Sequence, residues 1–316
     1  MVTIYKCCND KCPLRIKRLK QLNPSEKLMQ QMVPNHFKIN YQYREYHFKP
    51  EHIFHSAPRQ TGTNVFKLYK SANLLGLVLT FYISFALSAR KTSLILLQVF
   101  DIHVSHQTVL NYVRSAAYYA HPFNLQNKGP VDDISVGDET YIKIKGKYNY
   151  VWFVLCVERL SVTAYHVDDN RGTQAAVAAI NESIKTAEPQ QELTLVTDGN
   201  PSYTEALHFL NKDRPQNPIK HIKVIGLQNE DEVSEKYRPF KQLIERFNRT
   251  YKHHVKPAVG FNSFNGAMAL TTLFVTHYNF LRPHMSLDNE APIHIPELDD
   301  IPTIQAKWVQ LLDMMF

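Results

Sequence analysis

The stretch ISVGDETYIKIKGKYNYVWFVLCVERLSVTAYHV, residues 134–167, decides the fold of this chain. It is rich in Val, Tyr, Ile and Phe, the residue types that fit a pleated and half-buried sheet. Runs of these residues predict three successive strands, at 134–143, 147–157 and 161–167. The intervals between the runs are short, so we expect the three strands to be antiparallel neighbours.

The residues beyond this stretch predict alternating helices and strands. The pattern indicates a helix at 173–186, a short buried strand at 193–197, a helix at 201–210 and a strand at 221–225. Three antiparallel strands followed by this alternation predict an RNase H-like α/β fold, a mixed sheet flanked by helices, at residues 134–290. Two further helices, near 238–254 and 263–281, complete that domain, and residues 291–316 form a C-terminal tail with a helix.

A helical region precedes the sheet, at residues 66–120, and its pattern indicates a helix-turn-helix. Ser93–Phe100 predicts one helix, Asp101–His103 a turn, and Ser105 the N-cap of the next helix. A linker is predicted at 121–133, where Pro122 and Gly129-Pro130 interrupt the periodicity.

The second helix of this pair has two distinct faces. One face is apolar and predicts burial of Val109, Tyr112, Val113 and Ala116. The other carries Gln107, Asn111 and Arg114 at spacings of four and three residues. In a DNA-binding helix-turn-helix, these three side chains would be offered to base edges in the major groove.

Two carboxylates occupy informative places in the predicted sheet. Asp138 lies inside the first strand, where an acid in a buried pattern is costly without a purpose. Asp198 ends the strand 193–197 and precedes Gly199-Asn200-Pro201, which places it at the carboxyl end of a strand with Asn200 capping the next helix. Side chains alternate along a strand, so Asp138 and Glu139 are predicted to point to opposite faces, and only one of them to join a given site.

A third carboxylate, Glu245, lies on a helix whose faces can be separated by their spacing. Phe240, Leu243, Ile244, Phe247 and Tyr251 form an apolar stripe. Glu245, Asn248, Arg249 and Lys252 form a second stripe at i, i+3, i+4 and i+7. Three carboxylates that converge from two strands and a helix would suit two Mg²⁺ or Mn²⁺ ions, which prefer oxygen ligands.

Each acid also has an ordinary structural explanation when it is taken singly. Asp138 would then be an edge-strand acid, Asp198 a turn former beside Gly199, and Glu245 a solvated residue paired with Arg249. Their order on strand, strand end and helix favours the metal site over these alternatives.

Four segments resemble the DDE transposases of bacterial insertion sequences, which are relatives of retroviral integrases. They are Asp138–Gly146, Val196–Tyr203, Ile244–Lys252 and Tyr278–Leu287. The resemblance implies that Asp138, Asp198 and Glu245 are the metal-binding triad, and that Lys252 contacts the end of the mobile element. It also implies double-stranded DNA, as terminal inverted repeats and target, and a homo-oligomer as partners.

The sequence departs from that family in two places. The interval between Asp198 and Glu245 is longer than usual, apparently through an insertion around residues 211–237. Residues 1–50 look like a degenerate zinc ribbon, because Cys7, Cys8 and Cys12 have no second cysteine pair nearby. A Zn²⁺ site at Cys7 or Cys8 with Cys12 would need to recruit His36 or His47, and a metal-free segment is favoured.

The composition agrees with a nucleic-acid partner and a reducing compartment. The 36 Lys and Arg outnumber the 29 Asp and Glu, for a formal net charge of +7. Four cysteines are too few for a disulfide scaffold, and no secretory signal is evident, so a cytoplasmic location is expected. The uncharged stretch 71–89 is diluted by polar residues and predicts a buried helix, not a membrane span.

The sequence therefore predicts a transposase that binds element ends through its helical region and cuts and joins DNA in the sheet domain. Two alternatives remain open at this stage. A non-catalytic DNA-binding regulator derived from a transposase would use the helix-turn-helix alone, and a nuclease of the same fold would cut without joining.

Overall fold

The computed structural model describes residues 2–5, 11–34, 43–46, 72–225 and 232–315. They belong to two units with a boundary after Pro58. In the first unit, β1 (Val2–Tyr5) pairs antiparallel with β2 (Tyr43–Tyr46), and α1 (Pro13–Lys20) and α2 (Pro24–Met32) lie between them in the chain. Cys7, Cys8, His36 and His47, needed for the predicted zinc site, lie outside the described residues.

The second unit contains a five-stranded mixed sheet. Its strands are β3 (Ile134–Ile144), β4 (Lys147–Cys156), β5 (Val162–Asp168), β6 (Thr194–Thr197) and β7 (Lys220–Lys223). They lie in the order β5-β4-β3-β6-β7, with the first three antiparallel and β6 and β7 parallel to β3. This order confirms the predicted RNase H-like α/β fold.

A two-residue turn sets the register of the β3–β4 hairpin. Ile144 pairs with Lys147, and the turn residues Lys145 and Gly146 have φ angles of 50° and 78°. Two positive φ angles in succession are typical of the tight hairpin turn, and a glycine at the second position adopts this conformation without steric cost.

Helices cover both faces of the sheet. On one face, α6 (Thr173–Ser183) and α7 (Pro201–Asn211) bury a core around Trp152 and Tyr203. On the other face, α8 (Glu232–Val255) and α9 (Phe264–Phe280) bury a larger core around Phe153 and Phe247, whose ring centroids are 4.8 Å apart. The two helices predicted near 238–254 and 263–281 are therefore present, the first beginning earlier than expected.

The helical region contains the predicted helix-turn-helix elements. α3 (Ala72–Leu79) continues into a π-helical turn at Thr80–Ser84, and α4 (Ala89–Phe100) and α5 (His106–Gln126) follow. α4 ends at Asp101, whose φ of 52° is left-handed, and the Ser105 side chain caps α5 by accepting a hydrogen bond from the Thr108 amide at 3.0 Å. The predicted apolar face of α5, which comprises Val109, Tyr112, Val113 and Ala116, is buried.

The predicted linker at 121–133 is wrong in its first half, because α5 continues through Gln126. Pro122 lies inside the helix and removes one backbone donor. Buried contacts to the sheet unit offset this loss. Asn124 donates to the Thr272 carbonyl at 3.0 Å and accepts from Thr276 at 2.9 Å, and both partners lie on α9. The helix-turn-helix and the sheet thus share one core.

The C-terminal helix, α10 (Ile304–Asp313), packs on α3. The Trp308 indole donates to Ser84 Oγ at 2.9 Å, and the two helices approach so closely that a Cβ on Gly76 would lie 2.6 Å from the Gln305 carbonyl oxygen. The stretch around α3 buries Leu74, Leu75, Val78 and Leu79, in agreement with the predicted buried helix. None of the described helices is both long and apolar enough to cross a bilayer.

Acid is expected to destabilise this unit through buried histidines. Burial, followed by His254 and Arg282, lowers the pKa of His277 to about 3, and burial lowers that of His284 to about 4. The unfolded chain, with a usual histidine pKa, binds these protons first, so stability present above about pH 6.5 is lost as the pH falls. Between pH 7 and pH 5, His277 alone is expected to lower the free energy of unfolding by about 2 kcal/mol, because nearly all of the proton binding in this range occurs in the unfolded state.

Urea unfolding of the wild type and of His277→Phe, measured at pH 7 and pH 5, checks this expectation. Phenylalanine keeps a ring beside Trp308, on which His277 stacks with an interplanar angle of 15°. The variant is expected to lose less stability between the two pH values than the wild type. His103→Phe, at an exposed position, serves as the control, and an equal loss in all three proteins would contradict the assignment.

Candidate active site

Asp138 and Asp198 converge because of the parallel pairing of β3 and β6. Val136 lies opposite Val196 in this ladder, and Asp198 follows one residue after β6 ends at Thr197. Asp198 Oδ1 accepts a hydrogen bond from the Asn200 amide at 3.0 Å, and the Asn200 side chain caps α7. Both the strand-end position of Asp198 and the capping by Asn200 agree with the sequence expectation.

Glu139 joins the two aspartates, which the sequence argument did not expect. The alternation along β3 holds, since Asp138 contacts α8 and Glu139 lies beside the α6–α7 core. Nevertheless, one carboxylate oxygen from each of Asp138, Glu139 and Asp198 lies within 4.8 Å of the others. The prediction that only one of the two neighbours can join a site is wrong, because β6 pairs with β3 only as far as Val136 and leaves this edge of β3 uncovered.

The three carboxylates, which we call the acidic group, concentrate negative charge in a partly buried site. Burial, followed by the charges of Glu139 and Asp198, raises the pKa of Asp138 to about 7. Burial and the charges of Glu139 and Asp138 also raise the pKa of the Tyr203 hydroxyl well above its usual value. A bound cation would offset this repulsion, so the donor set and its charge both fit a divalent metal ion.

Two neighbouring side chains hold the acidic group in place. Asn248, on α8, donates to Asp138 Oδ2 at 2.8 Å. Arg171, immediately before α6, contacts Glu139 Oε1 through both Nε and Nη2, and its Nη2 lies 3.8 Å from Asp198 Oδ2. Sequence reasoning identified neither contact. The basic residue at the start of a helix offered no signal, since exposed arginines are common.

Glu245 lies one turn before Asn248 on the same stripe of α8, while its carboxylate remains outside the acidic group. The apolar stripe is buried at Ile244, Phe247 and Tyr251, as predicted. The Glu245 side chain is 45% exposed and lies 3.9 Å from Lys241 Nζ. Attraction to Lys241 favours this position of the Glu245 carboxylate. The structure therefore brings Asp138 and Asp198 together and places Glu245 one turn from Asn248, which contacts Asp138.

The predicted DNA-contacting residues of α8 are exposed beside this site. Arg249 and Lys252 both face solvent. Lys252 Nζ lies 3.9 Å from the centroid of the Tyr141 ring, and Tyr141 forms an edge-to-face pair with Tyr148 on the β3–β4 hairpin. Because β3 also carries Asp138, a basic and aromatic surface adjoins the acidic group.

The predicted base-reading residues of α5 do not share one environment. Gln107 and Asn111 are linked by a hydrogen bond of 3.0 Å at an exposed position. Arg114 is half-buried and lines a cleft of about 570 Å³ between the helix-turn-helix and the loop before α9. Arg90 and Gln107 line the same cleft. Of the three residues, Gln107 is exposed, whereas Asn111 and Arg114 are both half-buried.

Comparison with known proteins locates a conserved type of domain on this part of the chain. Residues 134–268, from the start of β3 to the first turns of α9, match a family model described as a DDE domain. None of the curated proteins matches this chain.

Several solved structures are similar to the chain. The integrase catalytic core domain of HTLV-2, solved with magnesium in a trimeric form, is 14% identical, covers 52% of this chain and 95% of its own, and has a TM-score of 0.32. A simian T-cell lymphotropic virus intasome in complex with PP2A regulatory subunit B56 gamma is 18% identical, over 63% of this chain and 70% of that one, with a TM-score of 0.37. The Mos1 strand transfer complex is 10% identical, over 80% and 83% of the two chains, with a TM-score of 0.24.

The segment that matches the DDE domain is also the segment that contains Asp138, Asp198 and Glu245. It includes all five strands of the mixed sheet and the whole of α8. The family match therefore falls on the residues 134–268 that carry the mixed sheet and three of the four resembling segments.

Proposed function

We propose that this protein is a transposase, which binds the ends of a mobile DNA element, cleaves them and joins them to target DNA. The observation that carries the proposal is the convergence of Asp138 and Asp198 at the end of β6 in a partly buried site. Glu245, one turn from the Asn248 contact to Asp138, is the third carboxylate of the proposed triad. The match of residues 134–268 to a DDE domain supports it.

Asp138, Asp198 and Glu245 would hold two divalent ions, Mg²⁺ or Mn²⁺. Both ions prefer oxygen ligands, and a carboxylate oxygen of Asp138 lies within 4.8 Å of one of Asp198, close enough for the two to contact a common ion. Glu245 would supply the third carboxylate from α8. When bound, a pair of such ions activates water or a DNA 3′-hydroxyl and stabilises the leaving oxygen of an in-line displacement.

The side chains around the triad orient it. Asn248 fixes one oxygen of Asp138 by a hydrogen bond of 2.8 Å. The Asn200 amide fixes one oxygen of Asp198. On the exposed face of α8, Arg249 and Lys252 follow Glu245 by one and two turns, where a phosphate backbone would run past the ions.

The helix-turn-helix would bind the terminal inverted repeats of the element. Gln107 and Asn111 lie near the exposed start of α5, the part of a recognition helix that contacts base edges. Arg114 and Arg90, in the cleft behind them, would contact phosphates. Because transposition joins two ends of one element, the working form is proposed to be a dimer or a larger homo-oligomer.

A joining assay tests the proposal and its metal requirement. A precut duplex that carries the terminal repeat is incubated with the protein and a plasmid target. Joined products are expected with Mg²⁺ or Mn²⁺ and none with EDTA, whereas gel-shift binding to the repeat persists without metal. Sequence-specific binding without joining in any metal would identify a non-catalytic regulator, and cleavage without joining of the precut end would identify a nuclease.

Lys252 is expected to contribute one phosphate contact. Lys252→Gln should weaken binding to terminal-repeat DNA about fivefold at 0.1 M salt and reduce the slope of log K against log salt by about 1. Fluorescence anisotropy over a salt series measures both quantities. Lys236→Gln is a matched control, since Lys236 is an exposed lysine of α8 that lies 5.2 Å over the Tyr237 ring. Equal effects of the two substitutions would argue against a specific contact.

A further inference from the structure

A basic side chain of the protein, Arg171, lies beside the acidic group. Arg171 follows β5 and precedes the N-cap of α6, and its guanidinium contacts Glu139 and lies 3.8 Å from Asp198. In the ranges of the chain that the structure describes, it is the one basic side chain that forms ion pairs with the acidic group. Arg171 is half-exposed, whereas Glu139 is only 2% exposed, so the ion pair reaches into the site from its rim.

The two carboxylate oxygens of Glu139 have different surroundings. Oε1 accepts from Arg171 Nε and Nη2 and from the Asn200 side chain, the last at 3.0 Å. Oε2 is fully buried, and the Tyr203 hydroxyl interacts with the same carboxylate. A buried carboxylate is costly unless its charge is paired, so it favours a nearby cation. In Glu139, the guanidinium on Oε1 supplies that charge.

Without Arg171, the geometry would favour a different metal site. Three carboxylate oxygens within 4.8 Å of one another can surround one ion at the ligand distances usual for divalent cations. That cage would use Glu139, on the α6–α7 face, and would not need Glu245. A positive charge beside it disfavours such an ion by direct repulsion and by occupying Oε1.

We infer that Arg171 is a resident counter-cation that weakens divalent-ion binding by the acidic group and keeps Glu139 as a positioning residue. This inference rests on the proposed function and deepens it. Arg171 and Asn200 both contact Glu139, and both also approach Asp198, Asn200 through its backbone amide. Tight metal binding would then require two further ligands, Glu245 and a DNA phosphate.

Mn²⁺ titration of the full-length, DNA-free protein tests this inference, with free Mn²⁺ measured by electron paramagnetic resonance. Arg171→Gln is expected to bind Mn²⁺ about tenfold more tightly than the wild type, because removal of one charge near a divalent ion relieves a repulsion of that order. The double variant Glu139→Gln/Arg171→Gln is expected to return to within about twofold of the wild type, because the gain depends on Glu139. Arg171→Lys, which keeps the charge, should stay near the wild type.

Arg159→Gln is the matched control. Arg159 is likewise half-exposed and pairs with a buried acid, Asp132, at 3.4 Å, and its substitution should not change Mn²⁺ affinity. Arg171→Ala provides a second truncation if the glutamine variant fails to fold, as judged by circular dichroism. Unchanged, weaker or absent Mn²⁺ binding in a folded Arg171 truncation would overturn the inference alone. Absence of Mn²⁺ binding in the wild type even after a precut terminal-repeat duplex is added would overturn the proposed metal site as well.

Discussion

Asp138→Asn is expected to reduce metal-dependent strand transfer by at least about a thousandfold, a loss comparable to that of other central catalytic groups. Asp138 is the most buried member of the proposed triad, and its oxygens have no substitute on the α8 face of the sheet. Asparagine keeps the shape and can still contact Asn248, but it lacks the negative charge that a divalent ion requires. The fold should therefore persist while the chemistry is lost.

Joining of a precut end measures the activity, and anisotropy with the same duplex measures binding. Binding is expected to stay within about twofold of the wild type, because the helix-turn-helix and Lys252 lie elsewhere. Asp213→Asn, at an exposed acid after α7, is the control and should retain full activity. A folded Asp138→Asn protein that joins DNA at the wild-type rate would refute the proposed site.

Glu245→Gln is expected to lower strand transfer by at least about a hundredfold, although Glu245 lies outside the acidic group. The α8 stripe faces the site through Asn248, and the glutamate side chain is exposed enough to change rotamer when cations arrive. Loss of one carboxylate ligand removes a donor that a neutral amide replaces poorly.

Two comparisons make this result specific. Glu235→Gln, an exposed glutamate on the same helix, should leave joining unchanged. Glu139→Gln separates the two candidate third ligands in the same assay. Full activity in Glu245→Gln together with loss in Glu139→Gln would show that Glu139, not Glu245, completes the metal site.

Much of the fold followed from residue patterns, since the strands of the sheet and α8 have strong periodicities. The runs around Val136 and Val154 predicted β3 and β4 closely, and the Gly-Asn-Pro after Asp198 predicted the start of α7. These signals are local, so they predict the elements without knowledge of tertiary contacts.

Two features were out of reach of the sequence for physical reasons. Alternation along β3 was predicted correctly, but the approach of Glu139 to Asp198 depends on the pairing of β3 with β6, two strands that are distant in the chain. The extension of α5 past Pro122 depends on hydrogen bonds between Asn124 and α9, nearly 150 residues away in the chain. A proline usually ends or kinks a helix, and here the buried hydrogen bonds of Asn124 stabilise the helix beyond Pro122.

Under the proposed function, the continuity of α5 would fix the distance between DNA recognition and DNA cleavage. This helix has 21 residues and so spans about 32 Å, the rise of roughly nine base pairs of duplex. Its first turns would contact the terminal repeat, and its last turn is hydrogen-bonded to α9, which packs on the sheet that carries Asp138. The length of this helix would then set the distance between the recognised bases and the cleaved phosphate.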